Sequence, residues 1–307
     1  MKKLRRFFDI LKKTVVSFLD DNGLKLSASL SYYTIFALGP VLVITISLVG
    51  IFYGKEAVQG KIYGQIKDLI GSDAAIQLQQ IIKNVEYSQF QTTGIIIGLV
   101  MLLVGASGVF TEMQDSINTI WSVKAKPKKG WLKFLRNRLL SFSLVISIGF
   151  ILLVSLVVSA LLEAINTQLT RVFPEGIVIL AYILNILIVL FVIAALFTVI
   201  FKVLPDATIS WRDTFRGALF TSLLFMVGKF LISFYISRSS IGTTYGAATS
   251  IIVILLWVYY SSAILYLGAE FTKTWAIEAG NGIKPNDTAV FIIKREAREV
   301  PSSHLET

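Results

Sequence analysis

Apolar positions form six long runs along this chain, and the first of them shows the pattern most clearly. Residues 30–53 contain no formally charged side chain over 24 consecutive positions. A helix of that length, at about 1.5 Å per residue, crosses roughly 30 Å of hydrocarbon. Five further runs cover residues 94–110, 139–162, 177–201, 215–236 and 247–271. The pattern predicts an all-α, polytopic membrane protein with six transmembrane helices in a single domain, residues 1–275.

The first span contains a helix breaker near its middle, at Gly39 and Pro40. Proline removes a backbone hydrogen-bond donor and loosens the helical turn that precedes it. A carbonyl freed in this way needs a partner at membrane depth, where water is absent. We therefore expect the first span to lie inside the bundle rather than against lipid.

Residues 2–19 combine apolar positions at helical spacing with lysines and arginines between them. This pattern is typical of an amphipathic helix that lies in the interface of an anionic membrane. A topology anchor with no further role would show the same basic stripe. Because the next apolar run reaches full spanning length, we interpret this segment as retained rather than as a cleaved signal peptide.

The basic residues are distributed unevenly between the two sides of the predicted six-span arrangement. The side with both termini carries 22 lysines and arginines, the other side carries 6, and Lys229 alone lies within a span. The positive-inside rule then predicts that both termini are cytoplasmic. Residues 54–93 lie outside in this topology, as either a small lid or a solvated connector. We interpret residues 276–307 as a polar cytoplasmic tail.

The composition supports this class and excludes several functions. Of 307 residues, 55% are apolar and 16% charged, and the mean hydropathy is +0.73. There is no cysteine, and the one histidine is His304 in the tail, whereas hydrolytic metal sites need several converging ligands. We therefore expect no catalytic residues, no metal and no cofactor. The net charge of +10 follows the loops instead of forming one patch, which argues against nucleic-acid binding.

Polar residues within the outer half of the predicted spans suggest a binding pocket. Lys229 in span five and Asn185 in span four lie at similar depths by residue counting. An ionisable group within the membrane is a functional candidate because its burial is costly. With Gly39 and Pro40, these residues form a hypothetical substrate pocket that opens to the outer leaflet. The alternative is a lysine that reaches the headgroups or only packs against another helix.

A second polar cluster is predicted at the inner membrane boundary. Its members come from the ends of several spans: Tyr32, Tyr33, Glu112, Asp115, Asn118, Arg216 and Glu270. Glu270 lies near the inner end of span six and Arg216 near the start of span five, so we predict that they form an ion pair. Such a pair would lock two helices together, and proton coupling or headgroup recognition is the alternative.

Four sequence strings, in order along the chain, resemble the YihY/BrkB family of bacterial inner-membrane proteins. They are SASLSYYTIFALGPVL in span one, GVFTEMQDSINTIW at the end of span two, VLPD at residues 203–206, and TTYGAATSIIVILLWVYYSSAILYLGAE at residues 243–270. The resemblance covers roughly residues 5–275. It implies six helices, a location in the bacterial cytoplasmic membrane, and a link to envelope lipid export and resistance to host killing. It implies no established substrate.

Two function classes remain open, and a third is disfavoured. A transporter or flippase of a lipid-like or anionic amphiphile is favoured by polar groups at two depths and by basic cytoplasmic loops. A membrane scaffold that binds partners through the amphipathic N-terminus and tail is the alternative. An enzyme is disfavoured, including the ribonuclease that the family was once labelled. The expected partners are membrane lipids with anionic headgroups at the basic loops, and the sequence leaves open whether the protein forms a homo-oligomer.

Overall fold

A computed structural model describes residues 2–37, 108–126, 175–238 and 249–292 of the chain. The helices in these ranges are α1 (Lys2–Asp20), α2 (residues 23–37), α3 (residues 108–120), α4 (Glu175–Val203), α5 (Trp211–Arg238) and α6 (Thr249–Ala279). The strands are β1 (Val123–Ala125), β2 (Ala207–Ile209), β3 (Ile283–Pro285) and β4 (Ala289–Phe291). The described part of the chain is therefore mostly helical, with short strands near the helix ends.

Three of these helices are long and apolar enough to cross a membrane. The qualifying segments are Ile186–Val203 in α4, Trp211–Ile232 in α5 and Ile252–Ala279 in α6. They coincide with predicted spans four to six, although α6 continues about two turns beyond the predicted end at residue 271. Most of spans one and two, all of span three and the segment 54–93 lie outside the described residues. The count of six and the interfacial position of α1 thus stay predictions.

Two reciprocal glycine contacts bring α5 and α6 close together. Gly217 on α5 packs against Thr272 on α6, and Gly268 on α6 packs against Thr221 on α5. A Cβ atom at either glycine would overlap the facing threonine. Each threonine hydroxyl donates a 2.7 Å hydrogen bond to the glycine carbonyl one turn earlier in its own helix. Small residues therefore allow close helix contact, and the hydroxyls are satisfied without water.

The apolar core is concentrated where α3 and α4 end, α5 begins and α6 ends, which we call the strand-bearing end. Ile117, Ile120 and Trp121 from the α3 segment are buried there with Phe201 of α4 and Ala269 of α6. The Trp121 indole nitrogen donates a 3.1 Å hydrogen bond to the Ala269 carbonyl. By the predicted topology, the strand-bearing end is the cytoplasmic end of the bundle.

The segment after α6 pairs with the chain that follows α3 and with the chain that follows α4. Strand β4 is antiparallel to β1, with Ala289 opposite Ala125, and β3 is antiparallel to β2, with Ile283 opposite Ile209. The backbone nitrogen of Asn286 donates a further hydrogen bond to the Asp206 carbonyl, at 3.0 Å. Residues 276–292, expected as the first part of a polar tail, thus complete α6 and form two small sheets. Strands of three residues are too short for alternation to reveal them in the sequence.

Gly282 reverses the chain between α6 and β3. Its φ of 75° is in the left-handed region, and its backbone nitrogen donates a 2.8 Å hydrogen bond to the Ala276 carbonyl. A Cβ at this position would meet no atom within 4 Å, so only the backbone conformation demands glycine. We expect Gly282→Ala to lower the free energy of unfolding by about 1 kcal/mol. Thermal unfolding in detergent would measure this loss.

The matched control for that substitution is Gly282→Asn. Asparagine tolerates the left-handed region better than alanine, so this variant should retain more of the parent stability. Equal stability of parent and alanine variant would show that the turn imposes no strain.

Candidate functional site

A buried charge cluster at the strand-bearing end consists of Asp21, Glu270 and Lys273. The Lys273 ammonium lies 3.4 Å from the Asp21 carboxylate and 3.5 Å from that of Glu270. It also donates a 2.6 Å hydrogen bond to the Ile120 carbonyl. The side chain of Glu270 is fully buried, while those of Asp21 and Lys273 are 9% and 17% exposed. One ammonium group therefore connects the α1–α2 turn, the end of α3 and α6.

Local structure explains how Asp21 reaches this position. Asn22 adopts a φ of 56°, which asparagine tolerates, and this conformation ends α1 and lets α2 begin at residue 23. The Asp21 backbone nitrogen still donates to the Ser17 carbonyl, at 2.9 Å. On α6, Glu270 and Lys273 are three residues apart and share one face of the helix. The cluster thus depends on one sharp turn and one helix face.

Two buried hydroxyls extend the polar face of α6 beyond the charge cluster. Tyr266 lies one helical turn before Glu270 and is fully buried, and Ser116 of α3 is 2% exposed. Their hydroxyls face each other, yet neither makes a hydrogen bond of regular geometry. The carboxylate of Glu112, one turn from Ser116 on α3, also acts on the Tyr266 hydroxyl electrostatically. Polar groups therefore line the contact between α3 and α6.

Two other polar contacts fix the helix ends around the charge cluster. The Asn118 side chain makes two hydrogen bonds with Asp206, at 3.0 Å to its carboxylate and 2.8 Å from its backbone nitrogen. Asp213 is buried in the first turn of α5, where it accepts hydrogen bonds of 3.1 Å from Arg216 and from the Asn281 backbone. These contacts join α3 to the chain after α4, and α5 to the end of α6.

The residues of the predicted inner-boundary cluster differ in burial, and the cluster as a whole stays a prediction. Asn118 and Glu270 are buried and Glu112 is partly buried, whereas Tyr32, Tyr33, Asp115 and Arg216 are exposed. The predicted Arg216–Glu270 ion pair does not form. Arg216 binds Asp213 in its own helix and lies over the Trp275 ring, 5.6 Å from its centroid, while Glu270 faces Lys273. Arg216 and Glu270 each pair with a residue three positions away in the same helix. The prediction was wrong because it paired them across two helices instead.

Sequence reasoning missed the roles of Asp21 and Lys273. The sequence prediction counted Lys273 only among the basic residues that set the topology, and it gave Asp21 no role. The spacing of Glu270 and Lys273 was a signal for a pair within one helix. Nothing in the sequence placed Asp21 beside them, because this contact depends on how α1 packs against α6.

Of the predicted outer pocket, the structure describes one side chain. Lys229 is exposed on α5, next to the exposed side chains of Phe230 and Val227. Asn185 lies within α4, while Gly39 and Pro40 lie outside the described residues. The pocket formed by these four residues stays a prediction.

A groove of about 590 Å³ lies between α1 and the end of α6, and we call it the basic groove. Its lining combines four cations and two acids with apolar and small polar side chains: Arg6, Asp9, Ile10, Lys12, Lys13, Val16, Ser17, Lys273, Thr274, Ile277 and Glu278. The ammonium of Lys13 forms an ion pair with Glu278, and Arg6 donates to the Glu278 carbonyl. Lys273 therefore belongs to both the charge cluster and the basic groove. Within the described ranges, no group of three or more His, Cys, Asp or Glu side chains could hold a metal ion.

Comparison with known proteins gives a family match over most of the chain. A family model described as virulence factor BrkB matches residues 14–290. A UPF0761 membrane protein of Azotobacter vinelandii is 28% identical over 264 residues, which cover 82% of this chain and 60% of the relative. One of Alcanivorax borkumensis is 28% identical over 98% of this chain and 64% of its own length. The chain thus spans about three fifths of these relatives. No solved structure matches it significantly.

Proposed function

Because this chain belongs to the family of the virulence factor BrkB, whose curated relatives are membrane proteins, we propose that it transports an anionic, lipid-like amphiphile. In this proposal it is a transporter or flippase of the bacterial cytoplasmic membrane that serves the cell envelope. It takes the amphiphile's headgroup at the cytoplasmic face. The observation that carries the proposal is the basic groove between α1 and α6.

The lining of the basic groove suits a charged headgroup with an attached acyl chain. Four cations against two acids leave a formal charge of +2, which attracts phosphate or carboxylate groups. Each basic residue near an anionic membrane surface contributes about 1 kcal/mol to lipid attraction. Ile10, Val16 and Ile277 provide apolar contacts in the same groove. An amphiphile satisfies both parts of this lining.

The position of the groove also supports the proposal. The apolar segment of α6 continues to Ala279, and the groove lies along its last two turns. Headgroups of one leaflet would meet the groove at that depth. The 22 to 6 distribution of basic residues favours the cytoplasmic leaflet.

A membrane scaffold is the second candidate, and the strand-bearing end favours it. Val290, Phe291 and Ile292 are consecutive residues, and all three are exposed. Strand β4 carries two of them and is firmly attached to β1. An apolar surface fixed in this way could contact another protein without any movement of lipid.

Transport can be measured with the full chain in proteoliposomes. The probes are headgroup-labelled phosphatidylglycerol and phosphatidylcholine, with a membrane-impermeant reductant to report the exposed leaflet. The variant Lys12→Ser/Lys13→Ser removes two cations from the groove, so transport of the anionic probe should fall several-fold. Lys124→Ser/Lys284→Ser is the matched control, because it removes two exposed cations from the strands.

The outcomes separate the two candidate functions. Transport above protein-free vesicles that is lost in the groove variant and kept in the control supports the proposal. If the parent protein moves neither probe between leaflets faster than protein-free vesicles do, the proposal is overturned and the scaffold is favoured.

A further inference from the structure

The two carboxyl groups of the buried charge cluster approach each other closely. Asp21 and Glu270 are within hydrogen-bonding reach, although they belong to different parts of the chain. Ionised carboxylates only accept hydrogen bonds. Two carboxyl groups can therefore form a hydrogen bond with each other only when one of them is protonated. The Lys273 ammonium, 3.4 to 3.5 Å from both, supplies a single positive charge. The geometry therefore pairs two acids with one cation.

Arg6, Lys12 and Lys13 line the basic groove together with Lys273, but among the described residues Lys273 is the cation within 4 Å of the Glu270 carboxylate. With all three groups ionised, the cluster would carry a formal charge of −1. Glu112 adds another negative group on the α3 side. On the α5 side, Gly217, Phe220 and Thr221 meet this part of α6 and are uncharged. The Arg216 guanidinium lies farther along α6, over the Trp275 ring, and is paired with Asp213. Among the described groups around Glu270, Lys273 is the one cation that offsets the carboxylates. The excess negative charge of a fully ionised cluster would be costly to bury.

The buried hydroxyls of Tyr266 and Ser116, which face each other, point to the same kind of ligand. Both are more than nine-tenths buried, and Tyr266 lies on the Glu270 face of α6. One helical turn corresponds to about 5.4 Å along the axis, so this hydroxyl pair lies deeper in the bundle than the carboxyl pair. Hydroxyls both donate and accept hydrogen bonds, as proton transfer requires. Ionisable groups within spans often mark proton relays.

We propose that Asp21 and Glu270 form a proton-binding site, with Lys273 as counter-ion and the Tyr266 and Ser116 hydroxyls as its extension into the bundle. The ligand is one proton. On release, an O–H bond of one carboxyl breaks, the electron pair stays on the carboxylate, and water accepts the proton. Release leaves two carboxylates against one ammonium, and their repulsion weakens the contact between the α1–α2 turn and Glu270 of α6. Coupling of this step to amphiphile movement rests on the proposed function, whereas the proton site does not.

Infrared spectroscopy of the full chain in lipid nanodiscs tests the site directly. The parent should show the stretching band of a protonated carboxyl near neutral pH. Glu270→Gln and Asp21→Asn should each lose this band, because the remaining acid no longer shares its proton with a second carboxyl. Asp287→Asn is the control, since it removes an exposed acid between β3 and β4 and should leave the band unchanged. A parent without the band, or variants that both retain it, would overturn the proposal.

The pH dependence of stability gives a second measurement. The folded parent binds one proton more than the unfolded chain near neutral pH, so its stability falls as pH rises. The equilibrium constant of unfolding should increase by up to about tenfold per pH unit until the proton is released. Glu270→Gln carries no titratable proton at this position and should show a flatter profile. Identical profiles for parent and variant would contradict the site.

A transport measurement separates the proton site from its use. A pH gradient across the proteoliposomes should change phosphatidylglycerol transport by the parent and have less effect on Glu270→Gln. Transport that ignores the gradient, together with an intact infrared band, would reject the coupling and leave the site. Absence of transport with the band present would reject the proposed function alone.

Discussion

Replacing Lys273 with methionine should lower the free energy of unfolding by about 3 to 5 kcal/mol, one of the two largest effects that we expect. The substitution keeps most of the apolar stem but removes the ammonium that lies between Asp21 and Glu270. Removal of one partner from a buried ion pair leaves an uncompensated charge, which costs this much. The Ile120 carbonyl also loses its donor. Thermal and denaturant unfolding in detergent would measure the loss.

A double-mutant cycle distinguishes lost charge balance from lost packing. Glu270→Gln in the Lys273→Met background removes the excess negative charge, so it should restore a large part of the stability. Lys284→Met is the control, because it removes an exposed lysine from β3. Additive effects of the two substitutions would show that Lys273 and Glu270 do not interact.

Replacing Gly268 with leucine should separate α5 from α6 and cost about 3 kcal/mol or more. The new side chain would occupy the place of Thr221, whose position is fixed by its hydrogen bond to the Gly217 carbonyl. Overpacking of this kind typically lowers the free energy of unfolding by about 1 to 3 kcal/mol. We expect the upper end of that range here, because both helices are rigid. Thermal unfolding and the yield of monodisperse protein in detergent would report the effect.

The partner substitution tests whether the cost comes from this one contact. Exchange of the two residues, as Gly268→Thr with Thr221→Gly, keeps the total volume of the pair and should recover stability lost by Gly268→Thr alone. Val227→Leu adds bulk at an exposed position of α5 and serves as the control. A leucine at residue 268 that leaves stability unchanged would refute the close packing.

Long apolar runs predicted α4, α5 and α6 but not the contacts between them. The runs at residues 177–201 and 215–236 lie within α4 and α5, and residues 249–271 of the last run lie within α6, because a spanning helix needs only a continuous apolar stretch. The end of α6 was placed too early, since its last turns carry Lys273 and Glu278. Those turns pack against α1 and carry polar groups for that purpose.

The polar residues at the strand-bearing end show where sequence reasoning fails. Glu270 and Asn118 were both placed in the predicted inner-boundary cluster. Their partners, Lys273 and Asp206, were not identified, because a partner depends on the rotation of each helix about its axis and on how the chain turns after it. Arg216 was paired wrongly for the same reason. Depth along a helix can be counted from sequence, whereas facing direction cannot.

The pairing of β3 and β4 has a consequence for the order of assembly during synthesis. These strands are synthesised after α6, so β1 and β2 remain without their strand partners while the later helices insert into the membrane. Within the described residues, β1 and β2 obtain their strand partners when residues 283–291 arrive. A chain arrested before this point would present two open strand edges, which are templates for wrong pairing. We therefore expect arrested chains to be those that membrane proteases degrade first.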